Sequence, residues 1–272
     1  MAIADCDFDY VRWLVQSRAA IVLEDSKKYL VETRLLGLAR KEGYACVASL
    51  VSELRLRPRS DLFRKVVETM CNNETMFFRD IHPFEALRQH IIPALIAKRK
   101  EERSLCFWSA ACSSGQEPYS VAMLLREHFP QLASWQVRIV ATDLSSEILA
   151  RARLGRYSQL EVNRGLPAPY LVRYFERTGL EWQISSDIRR MVEFREMNLA
   201  SPWAAAPSVD VVFLRNVMIY FNPDTKREIL GRLRRQMRPD GYLFLGAAET
   251  TLNLDEGYIR EQRGQAWWYR LR

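Results

Sequence analysis

The sequence contains few of the residues that build covalent or metal frameworks. It has three histidines, His82, His90 and His128, and we interpret each as structural rather than catalytic. The five cysteines form no C-x-x-C pair and lie near no histidine cluster, so the sequence indicates neither a disulfide framework nor a zinc site. A reducing cytoplasm is the expected location.

Long apolar runs are also missing. Even the stretch VDVVFLRNVMIYF is interrupted by Arg215 and Asn216, and it falls short of the roughly 18 to 20 residues of a membrane span. The N-terminus, MAIADCDFDY, carries three aspartates where a signal peptide would have basic residues and an apolar run. The sequence therefore predicts a soluble, cytoplasmic protein that does not insert into a membrane.

Basic residues outnumber acidic ones. The 272 residues include 40 Lys and Arg against 33 Asp and Glu, which gives a formal net charge of +7 and a pI near 9.3. This excess favours an acidic partner, which can be nucleic acid, an anionic membrane surface or an acidic protein face. The length allows one large domain or two smaller ones with a sizeable core.

The residue pattern changes along the chain. From about residue 8 to 70, apolar residues recur at three- and four-residue steps, which predicts a small all-helical domain. The stretch PFEALRQHIIPALIAKRKEE predicts a connector helix that Pro93 kinks or splits. From Ser104 onward, strand patterns such as QVRIVATDLS and VDVVFL alternate with helix patterns that Gly155 and Asn222 delimit. This alternation predicts a parallel sheet wound with helices on both faces.

The segment from about Gln159 to Glu196 interrupts this alternation. Within it, LEWQISSDIRRMVEF predicts two strands about a polar turn, and therefore a small antiparallel insertion over about residues 160–196. The tail GQAWWYRLR predicts a closing strand. The expected divisions are a helical domain at 1–72, a linker with connector helices at 73–102, and an α/β domain at 103–272.

The stretch FWSAACSSGQEPYS runs from a strand through small residues into a helix, where doubly wound sheets bind nucleoside cofactors. Gly115 is its one glycine, so the three-glycine dinucleotide fingerprint is absent, and Glu117 would repel a pyrophosphate. S-adenosylmethionine, which has a sulfonium and an ammonium but no phosphate, fits this loop better than NAD. Asp143, which ends the next predicted strand, is suited to ribose hydroxyls. The alternative is that Glu117 caps a helix and Asp143 an adjoining turn.

Five motifs, in this order and spacing, resemble the chemotaxis receptor methyltransferases of the CheR family: NNETMFFRD, WSAACSSGQEPYSVAML, ATDLS, LRNVMIYF and RPDGYLFLGAAE. The resemblance covers nearly the whole chain. It implies a protein-glutamate O-methyltransferase that uses S-adenosylmethionine to esterify chemoreceptor glutamates in sensory adaptation and releases S-adenosylhomocysteine. The implied fold is α/β, with a small N-terminal all-α domain, a doubly wound Rossmann-like methyltransferase domain and a small antiparallel β insertion.

The resemblance also implies roles for single residues. It places Arg79 and Tyr220 near the transferred methyl group, and we expect them to orient the reactants rather than to accept a proton. Phe77 and Phe78 are expected to be buried and to anchor the linker over the cofactor pocket. The implied cofactor-binding residues are Asn73, Thr75, Arg79, Glu117, Asp143, Asn198, Leu199, Arg215 and Asn216.

Without the resemblance, these side chains have simpler interpretations. Arg79 can pair with Asp80 or Glu74, as most arginines near carboxylates do. Tyr220, beside Phe221 at a strand end, would by default be half-buried core. A glutamate side chain has an ordinary pKa of about 4.3 and is already ionised near neutral pH, so its methylation requires no general base.

The stretch SKKYLVETRLLGLARKEG carries a basic face. Lys27, Arg34 and Lys41 recur at seven-residue steps and would share one side of a helix. A solvated helix surface is the simpler interpretation, whereas the resemblance implies docking to the acidic methylation helices of chemoreceptors. The predicted docking residues are Lys27, Lys28, Arg34, Arg40 and Lys41, and the arginines that follow are Arg55, Arg57 and Arg59.

Partner preferences can also be read from the insertion. Some relatives use a longer loop there to grip a pentapeptide at the receptor C-terminus, but the turn in RTGLEWQISSDIRR is short. Beside the resemblance, this short turn predicts an enzyme without pentapeptide tethering. The chain is also expected to be a monomer.

Two rival functions remain open at this stage. A nucleic-acid methyltransferase would suit the basic pI, but amino-methylating enzymes of that class carry an Asn/Asp-Pro-Pro-aromatic motif where this chain has RNVMIYF. A binding module that has lost catalysis is the second rival, and the presence of Arg79 and Tyr220 argues against it.

Overall fold

The computed structural model describes residues 3–57, 61–203 and 208–272. Residue contacts divide the chain into two units, Met1–Asn72 with Tyr220–Lys226, and Asn73–Ile219 with Arg227–Arg272. Arg59, one of the basic residues named above, lies outside the described residues. Within the described ranges, every helix is too short or too polar to cross a lipid bilayer.

The first unit is helical, as the three- and four-residue spacing of its apolar residues predicts. Val11 and Val15, one helical turn apart, are fully buried, and so is Leu35. The first helix ends at Ala20, whose left-handed backbone (φ 55°) lets its N–H bond the carbonyl of Gln16. In the described part of this unit the α-helices are α1 (Asp5–Ala19), α2 (Lys28–Lys41), α3 (Val47–Leu56) and α4 (Asp61–Met70).

A segment from far along the chain completes the helical unit. Ile21 and Phe221 form an antiparallel β-bridge, and the Val22 N–H donates to the carbonyl of Tyr220 at 2.9 Å. The Asn72 side-chain amide donates to the Tyr220 hydroxyl at 2.8 Å, across 148 positions of sequence. The first unit is therefore assembled from two separate stretches of chain.

The second unit begins with the linker and a connector helix that changes its winding. It starts as α5 (His82–Ala86), passes through a π-helical turn (Leu87–Ile91), and continues as α6 (Ile92–Lys98). Pro93 has no N–H to bond the carbonyl four residues earlier, and the widened turn directly precedes it. The prediction that Pro93 perturbs this helix is confirmed.

The remaining elements alternate strands and helices. The helices are α7 (Gln116–His128), α8 (Ser146–Leu154), α9 (Gln159–Asn163), α10 (Ala168–Tyr174), α11 (Ser186–Arg189) and α12 (Pro223–Gln236). The strands are β1 (Ser104–Ala110), β2 (Gln136–Asp143), β3 (Arg156–Ser158), β4 (Phe175–Thr178), β5 (Glu181–Ile184), β6 (Val192–Glu196), β7 (Val209–Leu214), β8 (Met237–Leu245), β9 (Tyr258–Arg263) and β10 (Ala266–Leu271).

Helix ends follow their sequence signals. Gly155, in the left-handed conformation (φ 63°), closes α8. The Asn222 side chain accepts a hydrogen bond from the Thr225 N–H at 2.8 Å, which caps the start of α12. From its proline and glycine, RPDG is expected to end α12 and to precede a strand at YLFLGAA. This expectation is wrong, because β8 begins at Met237 and contains RPDG, near an irregularity in its pairing with β7.

The main sheet has the strand order β6-β2-β1-β7-β8-β10-β9. Neighbours from β6 to β8 pair in parallel, whereas β10 is antiparallel to both β8 and β9. The predicted parallel sheet and the closing strand Ala266–Leu271 are confirmed. The sequence analysis missed β9, the partner of that closing strand.

The antiparallel insertion exists, but its predicted pairing is wrong. The run Glu181–Ile184 pairs with β3 and β4 in a three-stranded antiparallel sheet. The run Val192–Glu196 instead joins the main sheet, parallel to β2, and the short helix α11 separates the two runs. The small sheet therefore uses strands within residues 156–184 rather than pairing both runs inside 160–196.

A buried ion cluster joins the connector to the sheet. Arg99, just after α6, pairs with Asp210 on β7 at 3.1 Å and with Asp240 on β8 at 2.5 Å. The hydrogen bond from Arg99 lowers the pKa of Asp240 to about 2. Burial raises the pKa of Asp210, whose second oxygen accepts the Cys106 N–H.

Candidate functional site

Three of the predicted cofactor residues lie at the carboxyl ends of central parallel strands: Asp143 ends β2, and Arg215 and Asn216 directly follow β7. Strand β1 lies between β2 and β7, and the chain order of the sheet reverses at this position. Open α/β sheets bind ligands outside the strand ends at such a switch point. Each residue predicted to bind the cofactor belongs to the second unit.

The loop after β1 is wound tightly before it enters α7. Ala111, Ser113 and Gly115 all have positive φ, at 59°, 51° and 91°. A Cβ on Gly115 would lie 3.2 Å from atoms of three surrounding side chains, so glycine suits both the conformation and the space. The single glycine of the motif therefore allows the close packing of this turn.

Asp143 closes β2 with its carboxylate turned toward the same loop. One oxygen accepts the Ser113 N–H at 2.8 Å and the other accepts the Ser145 N–H at 3.0 Å. The second bond is the turn contact that the alternative interpretation expects. These contacts fix the orientation of the Asp143 carboxylate at the carboxyl end of β2.

Glu117 does not cap α7, because its carboxylate is engaged elsewhere. It accepts the Ser109 hydroxyl at 2.7 Å and pairs with Arg215 at 3.0 Å. Arg215 also pairs with Asp80 at 2.7 Å and donates to the carbonyl of Arg79. The helix-cap alternative is wrong for Glu117, and the sequence analysis missed Asp80 and Ser109 as its neighbours.

This cluster has the charge expected of a site for a cation. Asp80 and Glu117 supply two carboxylates against the one guanidinium of Arg215, so the trio has a formal charge of −1. Asp143 adds a further carboxylate at the neighbouring strand end. A pyrophosphate would be repelled here, whereas a nucleoside that carries a sulfonium and an ammonium fits these side chains.

The linker is anchored as its aromatic pair predicts. Phe77 and Phe78 are buried, and Phe77 packs edge-on against Tyr157 and Phe175 at centroid distances of 5.0 and 5.6 Å. A Cβ on Gly165 would lie 2.1 Å from the carbonyl oxygen of Phe77, so only glycine allows this approach. The burial prediction for the two phenylalanines is confirmed.

Polar contacts fix the linker to the loop after β1. The Ser113 hydroxyl donates to the carbonyl of Asn73 at 2.7 Å, and the Ser120 hydroxyl accepts the Phe78 N–H at 3.0 Å. Asn73 and Thr75 lie in the irregular stretch that these contacts hold, and both are partly exposed. Ser113 and Ser120 had not been assigned a role from sequence.

Arg79 is not paired as the simpler interpretation expects. Glu74 pairs with Arg164 at 2.8 Å and Asp80 pairs with Arg215. The hydrogen bond from Arg164 lowers the pKa of Glu74. Arg79 itself donates to the backbone carbonyl of Glu74 at 3.1 Å, and its charge also helps to lower the pKa of the Glu74 carboxylate. Within the described part of the chain, the ion-pair partners of Glu74 and Asp80 are Arg164 and Arg215 rather than Arg79.

Asn198 and Leu199 follow β6. The Asn198 side chain accepts the Ala200 N–H at 2.9 Å, and the Leu199 side chain is buried. The Leu199 carbonyl accepts hydrogen bonds from Trp203 and Arg232. Their main-chain positions are therefore well fixed.

Asn216 occupies a strained position directly after β7. Its backbone is left-handed, with φ 58°, and its side-chain Oδ1 is buried without a donor among the residues that the structure describes. Tyr220 is grouped with the first unit, where Asn72 contacts its hydroxyl. The role of Tyr220 in the reaction stays a prediction.

The side chains of the basic face differ in exposure and in their contacts. Arg34 donates to the carbonyl of Met70, the last residue of α4, at 2.8 Å and to the carbonyl of the following Cys71 at 3.2 Å. Lys28 pairs with Asp5. Lys27, Arg40 and Lys41 are exposed, and Lys27 lies just before α2 rather than within it.

Comparison with known proteins places both units in one family. A family model described as "CheR methyltransferase, all-alpha domain" matches residues 7–71, and one described as "CheR methyltransferase, SAM binding domain" matches residues 73–264. A chemotaxis protein methyltransferase of Pseudomonas aeruginosa is 42% identical over the whole length of both chains. One from Pseudomonas putida is 41% identical over 95% of each.

Similarity to solved structures is much weaker. A TehB-like SAM-dependent methyltransferase from Corynebacterium glutamicum is 12% identical, with a TM-score of 0.39 over 71% of this chain and 97% of that one. A similarity at that level adds nothing to the family assignment.

Proposed function

Because the chain belongs to the CheR methyltransferase family and is an S-adenosylmethionine-dependent methyltransferase, we propose that it methylates specific glutamate side chains of chemoreceptors. The products are glutamate methyl esters and S-adenosylhomocysteine, and the modification serves sensory adaptation. The named relatives from both Pseudomonas species support a chemotaxis role.

The observation that carries this proposal is the state of Arg79. Its guanidinium donates to one neutral carbonyl, whereas the nearby Arg215 pairs with two carboxylates. Arg79 therefore keeps a positive charge that an incoming carboxylate can pair with through two parallel hydrogen bonds. A glutamate side chain matches this charge and geometry.

The chemistry needs alignment more than proton transfer. When bound, S-adenosylmethionine supplies a methyl group on a cationic sulfur, which is an electrophile toward an ionised carboxylate. A glutamate side chain in water has a pKa of about 4.3, so no general base is required near neutral pH. Holding two desolvated, opposite charges in line can lower a barrier by on the order of 7 kcal/mol.

Assignments for the cofactor follow the geometry of the second unit. We assign the ribose hydroxyls to Asp143, and the cationic end to the cluster of Glu117, Arg215 and Asp80. The remaining predicted contacts, all in the same unit, are Asn73, Thr75, Asn198, Leu199 and Asn216. Arg79 and Tyr220 orient the acceptor, and the assignment of Tyr220 rests on the family resemblance.

The receptor docks on the basic face of the helical unit in this proposal. Lys27, Arg40 and Lys41 are exposed and contribute its positive field. Lys28, which pairs with Asp5, and Arg34, which donates to the carbonyl of Met70, lie on the same face. Acidic receptor helices are the complementary partner.

Pentapeptide tethering is not part of the proposal. In the insertion, β4 and β5 are joined by the two residues Gly179 and Leu180, which leaves no long loop at this hairpin. Removal of the last five receptor residues is expected to leave the KM for receptor unchanged.

Transfer of a tritiated methyl group tests the function. We expect label on receptor but not on RNA, and release of that label by mild alkali, because esters hydrolyse where methylated bases do not. Arg79→Ala is expected to lower kcat/KM by at least about 100-fold, which corresponds to about 2.7 kcal/mol. Tyr220→Phe should lower it more than about twofold.

Arg88→Ala, which removes an exposed arginine of the connector helix, serves as the matched control and should retain activity. Alkali-stable label would rule out a methyl ester. An Arg79→Ala enzyme within twofold of the parent would show that Arg79 does not orient the acceptor.

A further inference from the structure

One carboxylate holds the whole loop that follows β7. Glu249, four residues beyond the end of β8, turns back with its N–H bonded to the carbonyl of Gly246. Its side chain is buried and accepts hydrogen bonds from backbone N–H groups at N–O distances between 2.7 and 3.3 Å. The donors are Asn216, Val217, Met218, Ile219 and Gly246.

Four of these donors are consecutive along the chain, which makes the loop a nest for an anion. Asn216 is left-handed, and the chain then enters a tight 3-10 turn at Met218–Tyr220. Successive N–H groups in such a turn point to one concave side, where they favour negative charge. Here the anion is internal, because the protein supplies it as Glu249. A glutamine would present an NH₂ group to some of the same donors.

The nest fixes Asn216 in particular. Glu249 binds its N–H at 2.7 Å, and a Cβ on Gly246 would lie 2.7 Å from its side-chain Nδ2. Its Oδ1 remains buried with no donor in the described stretches of chain. A buried acceptor held in a strained conformation is costly unless a ligand uses it.

We propose that Glu249 is a positioning residue of the methyltransferase site: it fills the backbone nest at residues 216–219 and thereby holds Asn216 with its Oδ1 ready to accept a hydrogen bond from the cofactor. This inference rests on the proposed cofactor role of Asn216. Glu249 itself touches neither cofactor nor substrate and acts through the loop.

Calorimetric titration with S-adenosylhomocysteine tests the coupling between the two residues. In the parent chain, Glu249→Gln is expected to raise the Kd at least 10-fold, which is about 1.4 kcal/mol. In an Asn216→Gly background, where glycine accepts the positive φ and the acceptor is gone, the same change should raise it less than twofold. Melting temperature should fall by about 5 °C in both backgrounds.

Glu256→Gln is the matched control, because Glu256 is exposed in the same loop region, and it should bind S-adenosylhomocysteine as the parent does. Amide hydrogen exchange of residues 216–219 gives a readout that needs no ligand. We expect those amides to exchange at least 10-fold faster in Glu249→Gln than in the parent. Receptor is absent throughout, so the Kd comparison decides the role of Glu249 whichever substrate the enzyme methylates.

Glu249→Asp keeps the charge on a shorter side chain and guards against a Gln variant that fails to fold. It should bind S-adenosylhomocysteine about 3- to 10-fold more weakly than the parent, an effect that also disappears in the Asn216→Gly background. Parent-like affinity in the folded variants would overturn the proposal. Equal losses with and without the Asn216 side chain would also overturn it, because Glu249 would then act on stability alone.

Discussion

The helical unit and the sheet unit use a key arginine in different ways. In the helical unit, Arg34 donates to neutral backbone carbonyls at the end of α4, including Met70 and Cys71. In the sheet unit, Arg215, whose side chain is 2% exposed, pairs with the carboxylates of Asp80 and Glu117. The first arginine satisfies a helix end and keeps its charge, whereas the second has its charge more than cancelled.

The two arginines therefore have different electrostatic roles. A capping arginine stabilises its helix and still contributes to the positive field of the surface. A buried arginine between carboxylates contributes little long-range field, but it fixes the geometry of three chain segments. The helical unit is therefore suited to attract a charged macromolecule, and the sheet unit to hold a small ligand.

Removal of the buried arginine is expected to have the largest effect. Arg215→Met leaves Glu117 without its ion-pair partner in a largely buried site and should lower the free energy of unfolding by about 3–5 kcal/mol. Arg34→Met should cost about 1–2 kcal/mol, because it removes hydrogen bonds to neutral carbonyls. Urea unfolding of the two variants measures both values, and equal costs would contradict the distinction between the arginines.

Charge reversal on the helical unit should affect binding of receptor rather than stability. Replacing exposed Lys27, Arg40 and Lys41 together with Glu is expected to raise the KM for receptor about 10- to 30-fold at low salt, and less at high salt. The Kd for S-adenosylhomocysteine should not change. Arg34→Gln removes one charge of the same face together with its hydrogen bonds to Met70 and Cys71, so it should lower the melting temperature and raise the KM much less than the triple variant does. A parallel loss of receptor and cofactor binding in the triple variant would indicate misfolding.

The ion cluster at Arg99 predicts a smaller, pH-dependent effect. The folded pKa of Asp240, about 2, lies below its unfolded value, so the pair stabilises the fold above about pH 4 and loses this contribution as pH falls toward 2. Asp240→Asn should cost about 1–2 kcal/mol at pH 7, since part of the side chain is exposed. The difference from the parent should shrink between pH 4 and 2.

The surface pair of Asp187 and Arg190 provides the comparison for that measurement. Asp187→Asn should change the free energy of unfolding by less than about 0.5 kcal/mol at pH 7. A cost for Asp240→Asn that stays constant down to pH 2 would contradict its assigned pKa.

The smallest expected difference between the two units lies in the reactivity of their cysteine thiols. In the helical unit, hydrogen bonds from Ser49 lower the pKa of exposed Cys46, whereas burial raises the pKa of Cys112 in the loop after β1. Iodoacetamide at pH 8 should label Cys46 at least about 100-fold faster than Cys112, as measured by peptide mass spectrometry. In denaturant the two rates should converge. Rapid labelling of Cys112 in the native chain would show that the loop opens.

Local sequence signals predicted most of the fold because the relevant physics is local. The spacing of apolar residues, Pro93, Gly155 and Asn222 act on their own neighbourhood, and each has the predicted effect. Pairing partners could not be predicted this way. By pattern alone, Glu181–Ile184 could pair with the run Val192–Glu196 that follows it. It pairs instead with β3 and β4, which precede it in the chain. Strand β9 lies at the edge of the main sheet, and most of its side chains are exposed, several of them charged. It was missed because such a sequence lacks the apolar pattern that predicts a strand.

The candidate site shows the same limit. Motif residues such as Asp143 and Gly115 carry a signal in the sequence, since they end a strand or open a helix. The partners of Arg215 lie 98 and 135 positions away, and no local pattern connects them. Glu249 lies inside a recognised motif. However, a glutamate that follows small residues does not by itself predict a carboxylate that accepts hydrogen bonds from several backbone N–H groups.

The β-bridge between Ile21 and Phe221 has a consequence for biosynthesis. A ribosome must translate most of the protein before the segment at 220–226 emerges. The N-terminal helices are therefore synthesised well before the segment that completes their unit. A truncated chain that stops at residue 72 would lack that partner permanently, and the N-terminal helices would be a poor choice for expression as an isolated fragment.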